Sequence, residues 1–126
     1  MNALSVSAVV FTSSDPRRLA DFYRTHLGIP IESASHGPMK DHLEGWLGDP
    51  ARGGVHIAVL KGPAPGPGRG GPAPTLRVRG LDACVAELEA AGTRPEHKIA
   101  ELGEGKRMVS FRDPDGNTFR LIDLGF

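Results

Sequence analysis

The sequence is poor in cysteine, since Cys84 is the only one among 126 residues. A disulfide within these residues is therefore excluded, which is typical of proteins from a reducing compartment. Cys84 lies among apolar residues of a predicted helix, so we interpret it as a packed side chain rather than a nucleophile.

Long apolar runs and an excess of charge are missing as well. No run approaches the roughly 18 residues of a membrane-spanning helix, and the N-terminus lacks the features of a signal peptide. The 15 Lys and Arg residues balance the 15 Asp and Glu residues, so the basic surface of nucleic-acid and membrane binders is not expected. The composition predicts a cytoplasmic protein without nucleic-acid or membrane partners.

The patterns that are present in the first half predict one helix among strands. An Asp-Pro start, apolar residues at helical spacing and a closing glycine predict a helix over 16–25. Residues 41–48 are compatible with a strand, with Leu43, Gly45 and Leu47 on one face, or with a helical turn. The other elements are strands predicted from apolar and β-branched runs, over 4–11, 29–31 and 55–60.

The second half repeats this order after a segment of mostly glycine and proline, GPAPGPGRGGPAP at 62–74. That segment contains little that could pack and is predicted to be a linker between module one, 4–61, and module two, 75–126. The elements predicted for module two are strands over 75–78, 107–112 and 118–123, a helix over 81–91 and an extended piece over 93–98.

The repetition of strand, helix and three strands predicts the architecture. Each module has one amphipathic helix to cover one face of a sheet. We therefore expect an α+β fold, a single domain over 1–126, in which two βαβββ modules form a curved mixed sheet that encloses a cavity.

Three stretches resemble a known superfamily. The segment from Ser13 to Gly28, which contains Ser-Asp-Pro-Arg-Arg-Leu-Ala-Asp-Phe-Tyr, resembles the first-module signature of the vicinal oxygen chelate superfamily, also called the glyoxalase/bleomycin-resistance/dioxygenase superfamily. The segments from Leu81 to Gly92 and from Phe111 to Phe119 resemble its second helix and its final hairpin. The resemblance covers nearly the whole chain apart from the linker, and it implies the fold rather than one activity.

Catalytic members of this superfamily hold a divalent metal ion. The resemblance places the four ligand positions at Ala8, His56, near Ala73 and at Arg120. A methyl group cannot coordinate a metal, and a guanidinium is a donor only. We therefore predict no metal and no other cofactor, and a rival set of His36, His42 and His56 has no spacing that supports it.

Strand alternation brings candidate ligand-binding residues to one face of the sheet. His56, Arg77 and Arg120 are predicted to converge, and arginine in the former ligand position would favour an anionic ligand. The alternative is that both arginines pair with carboxylates on an exposed rim. Trp46, with His42 near it, could stack on a planar ligand or pack at an interface.

Two functions follow from these residues. The first is a metal-free small-molecule binding protein of the bleomycin-resistance type, with an anionic ligand as one option, and a homodimer because a net charge of zero favours self-association. The alternative is a glyoxalase-like lyase or isomerase that uses His56 in acid/base chemistry.

Asp113 and Asp115 are explained by the tight turn that contains them, and a catalytic role is rejected.

Overall fold

A computed structural model of the chain describes residues 4–36, 39–63 and 73–126. The chain divides into two compact units, Met1–Ala64 and Pro65–Phe126. The first unit contains β1 (Ala8–Ser13), α1 (Pro16–Leu27), β2 (Glu32–His36), β3 (Met39–Leu47), a one-turn 3₁₀ helix (Pro50–Arg52) and β4 (Val55–Lys61). The second unit contains β5 (Thr75–Arg77), α2 (Leu81–Ala90), β6 (Ala100–Gly103), β7 (Lys106–Arg112) and β8 (Thr118–Asp123).

The two units have the same topology. Their strand orders are β1-β4-β3-β2 and β5-β8-β7-β6. In each unit the first strand pairs in parallel with the last, and the other pairs are antiparallel. The predicted α+β fold of two βαβββ modules is confirmed. Among residues 4–36, 39–63 and 73–126, no helix is long and apolar enough to cross a membrane.

Helix α1 covers one face of the first sheet. The Asp15 carboxylate accepts a hydrogen bond from the backbone N–H of Arg18, and Gly28 closes the helix in the left-handed conformation, as a capping aspartate and a terminal glycine do. Its buried side chains include Tyr23, which stacks on Phe11 of β1 with ring centroids 5.1 Å apart. The other face of this sheet is therefore the one available for a ligand.

The strand predicted over 29–31 is wrong, because β2 begins at Glu32. Proline at position 30 has no N–H for a ladder, and the Ile31 N–H bonds back to the carbonyl of Ile29 at 2.8 Å. Both isoleucines are nonetheless buried. Their apolar character suggested a strand, but it reflects side chains that pack in the core from a bend in the backbone.

For residues 41–48 the sequence left a strand or a helical turn open. The structure has a strand there, since β3 runs over Met39–Leu47. Leu43 is buried and lies opposite Val59 of β4, so the predicted apolar face of β3 points toward the core. Gly45 on the same face is required by the close approach of Pro30, whose carbonyl oxygen would lie 2.0 Å from an added Cβ.

The extended piece predicted over 93–98 is not a strand of the second sheet. The third strand of that unit is instead β6, at Ala100–Gly103. Pro95 lacks an N–H for the ladder. Glu96 contacts β7 through its N–H, which donates to the carbonyl of Ser110 at 2.9 Å, and through its carboxylate, which lies 2.9 Å from Nε of Arg112. Most of the predicted linker, residues 64–72, lies outside the described residues.

The final hairpin owes its shape to Asp113. One oxygen of its carboxylate accepts hydrogen bonds from the backbone N–H groups of Asp115 and Asn117, both at 2.9 Å. Such side-chain-to-backbone bonds are how aspartate stabilises tight turns. The turn role predicted for Asp113 is thereby confirmed, and the one predicted for the Asp115 side chain stays a prediction.

Candidate functional site

The open face of the first sheet gathers polar and aromatic side chains from β3 and β4. Side chains alternate along a strand, so His42, Glu44 and Trp46 share the face opposite buried Leu43. Trp46 lies opposite His56 in the β3–β4 register. The sequence-predicted residues His42, Trp46 and His56 are therefore brought together.

A single carboxylate oxygen connects the two histidines. Oε2 of Glu44 lies 2.6 Å from Nε2 of His56 and 3.2 Å from Nε2 of His42. An ionised carboxylate only accepts hydrogen bonds, so both Nε2 atoms carry the donated protons. The arrangement orients both rings and, when His56 is neutral, leaves its Nδ1 as the acceptor.

Burial differs between the two histidines. His42 is 3 % exposed, whereas the His56 side chain is 24 % exposed. His42 is therefore a buried partner of Glu44, and His56 is the member of the pair that a ligand can reach. We name His42, Glu44 and His56 the His–Glu–His cluster.

Trp46 provides an aromatic surface beside this cluster. Its ring lies 4.9 Å from the His56 ring between centroids, at an angle of 51°, and the residue is 41 % exposed. The two rings border an open pocket of about 320 Å³. The side chains that line it include Pro30, Glu32, Ala34, Glu44, Trp46 and His56.

The other two candidate residues belong to the second unit. The Arg77 guanidinium donates to the carbonyl of Phe126 and lies 4.6 Å from the centroid of its ring. Arg120 is half-buried and lies opposite Thr75 in the β5–β8 register. His56 belongs to the first unit and both arginines belong to the second, so their predicted convergence stays a prediction.

The positions that would hold the superfamily's metal do not offer a ligand set. In the first unit, Ala8 lies opposite His56 on paired strands. Of the four positions only His56 carries a lone pair for a divalent ion, because Ala8 and Ala73 end in methyl groups and the Arg120 guanidinium is a donor only.

The His–Glu–His cluster does not replace that set. The Nε2 protons that bond Glu44 occupy the positions where a metal would need lone pairs. Throughout the described part of the chain, no group of three or more His, Cys, Asp or Glu side chains is arranged to hold a metal. Of the rival histidine set, the His36 side chain lies outside the described residues.

Glu32 and Glu44 are the site residues that sequence reasoning missed. Alternation around Leu43 and Gly45 would have placed Glu44 beside His42 and Trp46, had 41–48 been taken as a strand. Glu32 was missed because the preceding strand was predicted three residues too early, at Ile29.

Solved structures of the same architecture are similar to this chain over almost its whole length. TnmS3, described as an antibiotic binding protein from Streptomyces sp. CB03234, is 22% identical with a TM-score of 0.70, and the match covers 98% of both chains. A glyoxalase/bleomycin resistance protein/dioxygenase superfamily member from Sphaerobacter thermophilus is 24% identical with a TM-score of 0.69, covering 96% of this chain and 98% of that one. These likenesses show the fold.

A third similar structure is that of a protein described as an enzyme. The lactoylglutathione lyase from Agrobacterium tumefaciens is 18% identical with a TM-score of 0.67, covering 98% of this chain and 96% of that chain. No curated protein matches the chain. The family model of the glyoxalase-like domain matches residues 8–122. With both βαβββ modules inside that match, the chain belongs to the glyoxalase-like domain family of the vicinal oxygen chelate superfamily.

Proposed function

We propose that this chain is a metal-free binding protein for a small organic molecule, of the bleomycin-resistance type. The observation that carries the proposal is the half-exposed Trp46 ring beside His56 and Glu44 in an open pocket. An aromatic surface with a few fixed polar groups is how proteins orient small ligands. The absence of a suitable ligand set at the superfamily's metal positions supports the metal-free part.

The similar structures supply a reason to test binding first. TnmS3 is described as an antibiotic binding protein. Binding without chemistry requires a pocket and orienting groups, and the described residues of the first unit offer both.

The biological setting is proposed mainly from the sequence. We propose one domain over 1–126, a homodimer, a cytoplasmic location, and no nucleic-acid partner. A net charge of zero removes repulsion between copies. The apolar Val10 on the open face of β1 is 56 % exposed, which supports contact with a partner or a ligand there.

The charge of the ligand was expected from the arginines. Arg77 has Phe126 as its partner, so the hypothesis of an anionic ligand rests on Arg120. That residue offers a charged donor on the second sheet, where a carboxylate would gain a charge-assisted hydrogen bond.

A fragment screen tests the proposed binding. Trp46 is the only tryptophan, so isotope-labelled protein gives one indole N–H signal that reports on the pocket. We expect some planar fragments to shift this signal saturably, and Trp46→Ala to abolish their binding. Leu102→Ala, which truncates an exposed apolar residue of β6, is the matched control and should leave binding intact.

Two outcomes contradict the proposal. One is a screen in which no fragment shifts the Trp46 signal. The other is a set of hits whose affinity survives Trp46→Ala but falls in Leu102→Ala, which would place the binding surface on the second unit.

A lyase or isomerase activity is the second candidate, favoured by the 2.6 Å contact between Glu44 and His56. A carboxylate that holds one imidazole nitrogen orients the other as a general base. Fragments found in the screen should then exchange a C–H proton with deuterated solvent, and His56→Gln should stop the exchange. Equal exchange with and without His56→Gln would exclude His56 as the base.

A further inference from the structure

Two carboxylates lie next to each other on paired strands that line the pocket. Glu32 on β2 lies directly opposite Glu44 on β3, and both line the pocket with Trp46. Like charges directly opposite each other destabilise a sheet. The pair therefore has a cost to stability that nothing in the fold of this edge strand requires.

The partners of the two carboxylates differ. Glu44 is held by the histidines of the His–Glu–His cluster. Glu32 is exposed, and none of the Lys and Arg side chains that the structure describes, a set without Lys40, lies within ion-pair distance of it. Among the described side chains, the negative charge of Glu32 thus faces solvent or a ligand.

The carboxylates that line the pocket are hydrogen-bond acceptors, and no Lys or Arg is among its described lining residues. Nε2 of His56 is engaged with Glu44, so a neutral His56 has only Nδ1 to offer. The Glu32 carboxylate accepts and cannot donate. The face of the Trp46 ring carries the negative end of its quadrupole, which attracts cations.

We propose that the ligand of this pocket is a planar organic cation, with its protonated nitrogen between Glu32 and Glu44 and its ring against Trp46. This inference rests on the proposed binding function and names the ligand class for it. A cation would remove the repulsion between the carboxylates, gain charge-assisted hydrogen bonds and lie over an electron-rich ring.

The pocket of the first unit would prefer a cationic ligand, whereas Arg120 on the second unit would prefer an anionic one. An anion placed against Glu32 and Glu44 would add a third negative charge to a site with no described Lys or Arg among its lining residues. The sign of the preferred ligand therefore distinguishes the two surfaces.

Three probes with the same ring test the inference: naphthylmethylammonium, naphthylmethanol and naphthoate. Each is titrated into the full chain while the Trp46 indole signal is followed. We expect the cation to bind at least about fivefold tighter than the neutral alcohol, as one charge-assisted bond predicts, and the anion to bind weakest.

A variant connects that preference to Glu32. Glu32→Gln should weaken the cation and so reduce its advantage over the alcohol to less than about twofold. Glu89→Gln, on the exposed face of α2, removes the same charge elsewhere and should keep the full advantage. Added salt should also reduce the advantage in the unmodified chain, which tests the charge without any substitution.

The possible failures are distinct. If the alcohol or the anion binds as tightly as the cation, or if the advantage persists in Glu32→Gln or at high salt, the inference is wrong and the binding function stands. If none of the three probes moves the Trp46 signal, the proposed binding function in this pocket fails, and the inference fails with it.

Discussion

Removing the carboxylate of Glu44 should destabilise the first unit, because Glu44 is the shared acceptor for two histidines. His42 is 3 % exposed and donates to Glu44, and a buried donor that loses its acceptor costs about 1–3 kcal/mol. The bond to the more exposed His56 adds up to about 1 kcal/mol. Relief of the repulsion with Glu32 offsets less than about 1 kcal/mol.

The net expectation for Glu44→Leu is a loss of about 1–3 kcal/mol in the free energy of unfolding. For a domain of this length that corresponds to a fall in Tm of about 4–12 °C. Urea denaturation followed by Trp46 fluorescence measures the first quantity, and thermal melts measure the second. Glu44→Gln retains one carbonyl acceptor and should lose less.

Glu89→Leu is the matched control, because Glu89 is exposed on α2 and the same substitution there should change stability by less than about 0.5 kcal/mol. The reasoning is refuted if Glu44→Leu unfolds at the same urea concentration as Glu89→Leu. In that case the two histidines would obtain equivalent hydrogen bonds from water.

Four further expectations can be checked on purified protein. Metal analysis should find no stoichiometric divalent ion, and thermal melts with zinc, nickel or manganese should show no stabilisation that saturates at one ion per chain. Light scattering should report about twice the chain mass of 13.4 kDa, and a monomer at tens of micromolar would contradict the dimer. Arg120→Glu should weaken an acidic ligand several-fold while preserving the fold, and an unfolded variant would show that Arg120 is structural. The Arg107 guanidinium donates hydrogen bonds to both carboxylate oxygens of Asp82 and lowers the pKa of that carboxyl group. Asp82→Asn should therefore reduce the free energy of unfolding at neutral pH. The difference between the two proteins should vanish as the pH falls through the lowered pKa of Asp82.

Helix α1 and the last hairpin were predictable because their signals are local. A capping aspartate, a first-turn proline and a terminal glycine act within a few residues of one another. The same holds for Asp113, which bonds backbone groups two and four residues away. Local interactions of this kind are specified by adjacent sequence, and the repeated order of elements was therefore readable from the chain.

Both errors fall on segments that contain a proline. Residues 29–31 are apolar, as in a strand, and residues 93–98 occupy the place of a strand in the repeated order of elements, yet Pro30 and Pro95 lack the N–H that a ladder requires. Their neighbours still pack in the core or touch a strand, as buried Ile29 and Ile31 show. The apolar composition of residues 29–31 therefore reflects the burial of their side chains. Pairing with a neighbouring strand depends instead on the backbone N–H groups, one of which proline removes.

The sequence by itself determined the family and the two modules, because each depends on the identity of residues at defined spacings. Only the tertiary structure decided which side chains meet. Glu32, Glu44 and His56 come from three strands, and their contacts depend on the register of the sheet. A shift of one residue would turn each of them to the other face. That register is set by the packing of Leu43 and Val59 beneath the sheet rather than by any signal near the site.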